Sequence, residues 1–502
     1  MPRVVETTIG AGKNYPDWVT WNAAVNTDYG GDLRNAVVDG ITGVIAHGMG
    51  TGLLDVSASQ VISGSLANRD CYKWLSADRG ESVWDLLSDG TPLRGELPGA
   101  GIRPAFNGGR AWYLQEAFTL FEKLTWISPR GAGKNWDYGL MLSVTGADAT
   151  VRDVYLSHFN YTQGTTEGHV IIEGARSKLI NTLAVYEGPA DGGIMLCING
   201  NNGGDSAAPT VINFHGVRPS DRTSTNYKAL RRNGTTSSHK MRLRSSTFFG
   251  VGALWYTANT TSAAFTSDSD YNGTNRPAGS TDYVDKLPGA NSKYEADIPA
   301  PGTWSTAGKV YVNTTVAAAD WRLATGSPLD NVTGAEVNSG FPNPDHSGAS
   351  FTGEIPQLRN GTGNWDARGQ ARSASAPSLH ALELTSTNEQ TGTAVAVALS
   401  LGSNSGGGLR VRVGPFYDEN DDLVDGVTGL AWVLLDRPVP SADAQVIAGS
   451  PEGSPNGTIT NGYFEVAVSG VALDDDLYFA ITNTSGAGDT AWDGWQGPVA
   501  VI

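Results

Sequence analysis

The chain has 502 residues, 64 of them Gly and only 17% charged, which is ample length for more than one domain and too much turn chemistry for an ordinary helical enzyme. Its formal net charge of -17 argues against the global basic footprint of a nucleic-acid binder. The sequence has no apolar run near the ~18 residues of a membrane span and no charged-then-apolar leader, so neither membrane insertion nor a secretory signal is expected. With two cysteines, Cys71 and Cys197, and seven scattered histidines lacking an i, i+4 pair, neither disulfide stapling, a zinc site nor another cofactor is expected.

Residues 1–30 read as a strand, a glycine turn and a short helix. Pro16 and Asp17 suit the first helical turn, and Trp18, Val19, Trp21, Ala24 and Val25 form its apolar face. Such a helix suits the open end of a stacked-strand solenoid, whose first turn otherwise exposes core. Residues 30–120 are less periodic, with strand-like Ala36–Val38, Gly43–Ala46 and Gln60–Ile62 between glycine turns. Trp74, Trp84, Trp112 and Tyr113 lie near loop sequence, where aromatic rings either pack or offer faces to sugars, packing being the commoner outcome.

From about Phe121 to Tyr256 the sequence repeats. One series of short apolar strands begins at Leu124, Val154, Leu183, Phe214 and Thr247, with starts 30, 29, 31 and 33 residues apart. A second series, beginning at Leu140, Val170, Met195 and Leu254, interleaves with it. Hairpins would place tight turns every ten residues or so, and a doubly wound α/β sheet would need helix-period patterns, whereas these intervals are filled with Gly, Asn, Thr and Ser. The expectation is an all-β fold in which equivalent strands stack in parallel, about 4.8 Å apart, as a parallel β-helix over 31–372. A linker, Ser373–Pro377, precedes strand-like alternation from Leu382 to Ile481, which predicts an antiparallel β-sandwich over 378–502. Its turns at Asp418, Asp421, Asp422, Asp425 and Asp474–Asp476 are dense in oxygen ligands suited to calcium, without EF-hand spacing; solvated acidic turns are the commoner case.

Three stretches carry a resemblance. Thr8-Ile-Gly-Ala-Gly-Lys-Asn-Tyr15 with the following Trp and Ala-Ala resembles the start of right-handed parallel β-helix proteins. Asp320-Trp-Arg-Leu-Ala-Thr-Gly-Ser-Pro328 and Asn364–Arg372 are similar to the ending common in that group, and Ser267–Asn272 adds to the likeness. The whole resembles a bacteriophage tailspike or virion fibre protein. The resemblance implies a homotrimeric spike on the virion surface that contacts other virion structural proteins and attaches to host surface polysaccharide. Since the coil begins within ten residues of Met1, a separate amino-terminal anchoring domain is not expected, leaving the cap, the sandwich or an adaptor for attachment. The alternatives are a polysaccharide depolymerase, lyase or glycoside hydrolase, on the same scaffold and a secreted bacterial adhesin. The motifs specify architecture rather than activity.

Two groups of residues are candidates for chemistry. Aligning the first strand series places Ser128, His158, Glu187, Arg218 and Val251 at one stacked position to within one or two residues. This suggests Glu187 as acid or base, His158 as proton partner and Arg218 as a clamp for a sugar carboxylate, or else a lateral ion-pair stack. Polygalacturonase-, pectate-lyase- and pectin-esterase-like motifs are not evident. Residues 218–244 hold eight Lys or Arg against the single acid Asp221, a local reversal of charge. Met241 and Leu243 alternate with Arg242 and Arg244, which points the guanidinium groups outward. An anionic polysaccharide would suit Arg231, Arg232, Lys240, Arg242 and Arg244, with Trp255 and Tyr256 as nearby rings; a solvated loop or an acidic neighbouring subunit would fit the same charges.

Overall fold

The structure is a computed structural model. It describes residues 3–330 with interruptions, the longest at 129–137, 159–167, 200–207, 220–226, 234–239, 256–264, 277–286 and 295–309, and seven strands between 409 and 499. The linker at 373–377 and the motif at 364–372 lie outside the described residues, as do the proposed domain boundaries at 372 and 378 and the acidic turns at 418–425 and 474–476.

The described strands between residues 3 and 275, apart from the antiparallel pair Val37–Val38 and Ile41–Thr42, form long parallel sheets in a solenoid-like arrangement, with three strands per turn where two series were expected. The first ladder stacks Arg3–Ile9, Val44–Gly50, Lys73–Ala77, Leu120–Glu122, Thr150–Arg152, the start of Lys178–Tyr186, the start of Thr210–Val217, and Arg242–Arg244. The second stacks Leu53–Val56, Gly101–Pro104, Thr125–Ile127, Tyr155–His158, the latter parts of the same two long strands, Thr247–Phe248 and Gly273–Thr274. The third runs from Gln60–Ile62 through Arg110–Leu114, Tyr138–Leu142, Gly168–Ile172, Gly193–Asn199 and Tyr227–Asn233 to Ala253–Trp255. The two predicted series are the second and third ladders. The first is not recognisable as a series, although Gly43–Ala46 and Arg242–Arg244 are read singly, because several of its strands are three residues long with only one or two apolar positions beside Glu, Thr or Arg.

The corner between the first and second ladders has a fixed backbone device. Lys123, Asp153, Asn181, Asn213, Ser245 and Tyr271 follow register-matched residues and all adopt left-handed conformations, with φ between 49° and 57°. Such a φ is costly for most L-residues and least so for Asn and Asp. Here the Asn181 amide donates to Asp153 Oδ1 (2.9 Å) and the Asn213 amide donates to Asn181 Oδ1 (3.2 Å), joining three turns through buried side chains. A second left-handed corner, at Phe118, Asp148 and Arg176, precedes the first ladder.

The helix Trp18–Asp28 closes one end of the stack. Asp17 is its N-cap, accepting from the Thr20 amide at 2.7 Å. Trp18, Trp21 and Val25 are buried as expected, whereas Val19 is exposed, so the apolar face is narrower than predicted. Trp18 meets Trp112 edge-on, and Trp112 meets Phe121, carrying the packing into the coil interior. Gly48 and Gly50 make room: a Cβ at either would lie within 3 Å of the Trp21 or Trp18 ring. Polar anchoring comes from Lys73, fully buried, whose Nζ donates to Asn22 Oδ1 (2.8 Å), Asn26 Oδ1 (2.7 Å) and Glu116 Oε2 (2.7 Å). Burial lowers the Lys73 pKa and raises that of Glu116, each shift opposed by the partner's charge.

An excursion between the first and second ladders covers the outer side of the second. Val83, Trp84, Leu87, Leu93 and Leu97 pack with Tyr155, Leu183, Val185, Val217 and Phe249, and with Tyr311 and Trp321 of an antiparallel pair, Tyr311–Asn313 with Asp320–Leu323. Trp321 N donates to Leu93 O at 2.9 Å and Leu93 N to Asp320 Oδ1 at 3.2 Å. The Asp-x-Arg-Leu motif thus pins the excursion, while Asp320 also forms an ion pair with Arg322 at 2.6 Å. The described strands beyond residue 408, Leu409–Val413, Val427–Leu435, Val446–Gly449, Gly457–Thr460, Tyr463–Val468, Leu477–Asn483 and Gln496–Val499, pair antiparallel.

Two stability outcomes are expected. Asn181→Ala removes both side-chain bonds and leaves a Cβ in the left-handed region, costing about 2–4 kcal/mol, and Asn181→Gly costs less by relieving the backbone. Denaturant midpoints of the two variants check this, and a glycine variant no better than alanine would refute the backbone account. Lys73→Met strands the Glu116 carboxylate and lowers stability by about 3–5 kcal/mol in the same assay.

Candidate functional site

The basic residues of 218–244 do not form one patch. Met241 and Leu243 are fully buried while Lys240, Arg242 and Arg244 are partly exposed, so the expected alternation is present and the three cations share the outward side of the first ladder. Register extends this face. Arg242 pairs with Thr210 and Thr210 with Lys178; Arg244 pairs with Ile212, Ile212 with Ile180, and Ile180 with Arg152. Arg176, two residues before Lys178, adds another cation. The side thus carries Arg152 on one turn, Arg176 and the buried Lys178 on the next, the buried Thr210 and Ile212 on the turn after, and the partly exposed Lys240, Arg242 and Arg244 beyond it, with turns spaced about 4.8 Å apart.

Part of this charge is paired. Arg176 meets Asp148 of the preceding turn at 2.5 Å, and Arg152 meets Glu122 at 2.6 Å, also across one turn. Burial pushes the Glu122 carboxyl pKa upward, but the charges of Arg152 and Lys123 and the Arg152 hydrogen bond outweigh it, leaving a net lowering. The Arg152 pKa is raised, because its partner's charge overcomes its own burial.

The remaining basic positions lie elsewhere. Arg231 stands on the third ladder, paired with Cys197. Arg218 is 1% exposed, with its guanidinium 4.7 Å from the Tyr227 ring centre, a buried cation–π contact. The strands place the backbones of Arg232 and Trp255 on the third ladder, but their side chains, and the whole of Tyr256 and Arg222, lie outside the described residues.

The stacked His158–Glu187–Arg218 row is not formed as aligned. His158 pairs with Tyr186, and Val185 pairs with Val217, so Glu187 sits one position beyond that row. The cause is variation in turn length: Thr125 to Tyr155 and Tyr155 to Leu183 are matched pairs with unequal intervals. Glu187 is buried beneath the excursion and accepts from Gly95 N at 3.1 Å, while the Tyr155 hydroxyl donates to Gly95 O at 2.8 Å. It fastens a covering segment rather than facing outward, and the His158 side chain lies outside the described residues.

Of the rings considered for sugars, Trp112 is core, Trp84 is buried with its Nε1 donating to Asp153 O (2.6 Å), and Trp74 is nearly buried. Tyr113 is partly exposed with Arg110 stacked over it at 4.0 Å. Sequence reasoning missed Glu122, Arg152, Arg176 and Lys178. Their signal was weak, one or two apolar residues beside a charged one in Leu120–Glu122, Thr150–Arg152 and Ser177–Ile180, legible once a third strand per turn is recognised. Among the described residues there is no group of three metal-ligating side chains, and no helix is long and apolar enough to cross a membrane.

The Glu122–Arg152 pair predicts an acid response. A carboxyl whose folded pKa is lowered from the ordinary 4.5 adds stability that is complete above pH 4.5 and is lost as pH falls toward the folded value. The melting temperature should therefore drop between pH 5 and pH 3, and Glu122→Gln should flatten that drop while lowering the plateau at pH 7. Thermal denaturation across this range is the check.

A scan against protein-family models finds no match, and searches of the curated proteins and of the solved structures likewise find none.

Proposed function

We propose that the chain is a virion spike or fibre protein, built as a right-handed parallel β-helix followed by an antiparallel β-sandwich, that attaches to an anionic polysaccharide on a host surface. The observation that carries the reading is the partly exposed outward row of Lys240, Arg242 and Arg244, in a chain of net charge -17; Lys178 and Arg152 stand in the same register columns on earlier turns but are buried and paired with Glu122 respectively. Stacked strands hold these cations at fixed intervals along one direction, so an extended polyanion meets them without ordering a loop first. Long side chains with apolar stems on a sheet face suit the alternating polar and apolar surface of a glycan. On this reading the protein is a homotrimer on the virion surface, with other virion proteins as its fixed partners and the glycan as its exchangeable one.

The test incubates the purified chain with a panel of acidic and neutral bacterial polysaccharides, recording binding together with new reducing or unsaturated ends. The expected result is saturable binding to an acidic member that weakens with salt and falls at least tenfold in the double variant Arg242→Glu, Arg244→Glu. Binding unaffected by charge reversal, or confined to neutral glycans, would refute the basic face. Chain scission would instead establish a depolymerase, and failure of antibodies to label phage particles would favour a secreted adhesin.

A further inference from the structure

The outward side of the first ladder, near the helical cap, carries a second constellation. Glu6, His47 and Ser76 come from three consecutive strands, Arg3–Ile9, Val44–Gly50 and Lys73–Ala77. Glu6 and His47 are register partners, and Ser76 lies two residues beyond Trp74, the partner of His47. Glu6 Oε1 is 3.3 Å from His47 Nδ1, and His47 Nε2 is 2.8 Å from Ser76 Oγ. The imidazole lies flat against the Trp74 indole, with centres 3.8 Å apart and planes 12° apart. Trp74 is itself held, its Nε1 donating to Glu122 Oε1 at 2.9 Å, and Glu122 is held by Arg152.

From this arrangement we infer that Glu6, His47 and Ser76 form a serine-hydrolase site for small acyl esters, with O-acetyl groups on the bound glycan as the substrate class. The choice of alcohol rests on the glycan-binding reading; the hydrolytic chemistry does not.

The hydrogen-bond inventory fits two protonation states. When neutral His47 carries its proton on Nδ1, it donates to Glu6, leaving Nε2 to accept the Ser76 hydroxyl proton. When both ring nitrogens are protonated, Nε2 donates to Ser76 Oγ, and the Ser76 hydroxyl has an alternative acceptor in Ala77 O at 3.0 Å. These match the states that a general base occupies before and after taking a proton. In the reaction, Ser76 Oγ forms a bond to the ester carbonyl carbon as its proton passes to Nε2. The acyl–oxygen bond then breaks and the alcohol leaves with that proton. Water adds to the acyl-serine with His47 accepting its proton, and collapse returns the proton to Ser76 Oγ and releases the carboxylic acid. Glu6 fixes the tautomer and stabilises the imidazolium throughout. Ser76 and His47 are only 5% and 4% exposed, so a small acyl group, acetyl, is the one taken to have access to Ser76 Oγ.

The inference is tested with the full chain. The expected result is steady release of nitrophenolate from 4-nitrophenyl acetate, a fluorophosphonate adduct located on Ser76 by peptide mass spectrometry, and a loss of at least 100-fold in rate and of the adduct in Ser76→Ala. His47→Gln should lose the rate similarly. Circular dichroism melts within about 2 °C of the parent would show that the variants fold, because Ser76→Ala removes one hydroxyl only. Unlabelled Ser76, or equal turnover by Ser76→Ala, overturns the site. Turnover of the small ester without acetate release from O-acetylated polysaccharides overturns the substrate class, and neither result bears on polysaccharide binding by Arg242 and Arg244.

Discussion

The left-handed corner between the first two ladders sets the geometry on which the stacked structure depends. Each turn of chain must change direction at the same height in the stack, and a single residue of positive φ does so without adding length. Because that residue recurs in register at six positions from Lys123 to Tyr271, strands on both sides of the corner keep their partners through turns of unequal length. Asp153, Asn181 and Asn213 are the side chains best suited to the conformation, and they hydrogen-bond across turns as well. The local backbone preference and the long-range pairing therefore agree.

The outward faces divide the labour. The second ladder is covered by the chain's own excursion and by Tyr311 and Trp321, which accounts for the burial of Glu187 in a position that alignment alone suggested was outward. The first ladder keeps its polar side chains in two groups. Near the helical cap they form two hydrogen-bonded sets, Glu6–His47–Ser76 and Trp74–Glu122–Arg152, joined by the stacking of His47 on Trp74, and further along they are predominantly cationic. Arg152 belongs to both, since it pairs with Glu122 and lies in the same column as Arg244.

Much of the fold was legible because apolar strands at a near-constant interval leave few other ways to bury their side chains. The capping helix was equally readable from Asp17 and the spacing of Trp18, Trp21 and Val25. The first ladder was not, since three-residue strands such as Thr150–Arg152 carry too few apolar positions to register as periodic. Site residues were harder still. Whether Glu187 faces out depends on an excursion contributed from residues 81–97, and a shift of one position separates it from the row of His158. The Glu6–His47–Ser76 set is scattered over three turns whose intervals differ, so only the strand register brings it together.

The closure at Leu93 joins residues 227 positions apart. On a ribosome, the early excursion would emerge with Trp84, Leu93 and Leu97 lacking the partners that eventually cover them, because Tyr311 and Trp321 are made much later. The intervening turns can stack as they appear, each on its predecessor, but the outer layer waits for the last contributor. Assembly of this chain is therefore sequential inside and delayed outside, and the interval before closure is when its apolar surface is most open to misassociation.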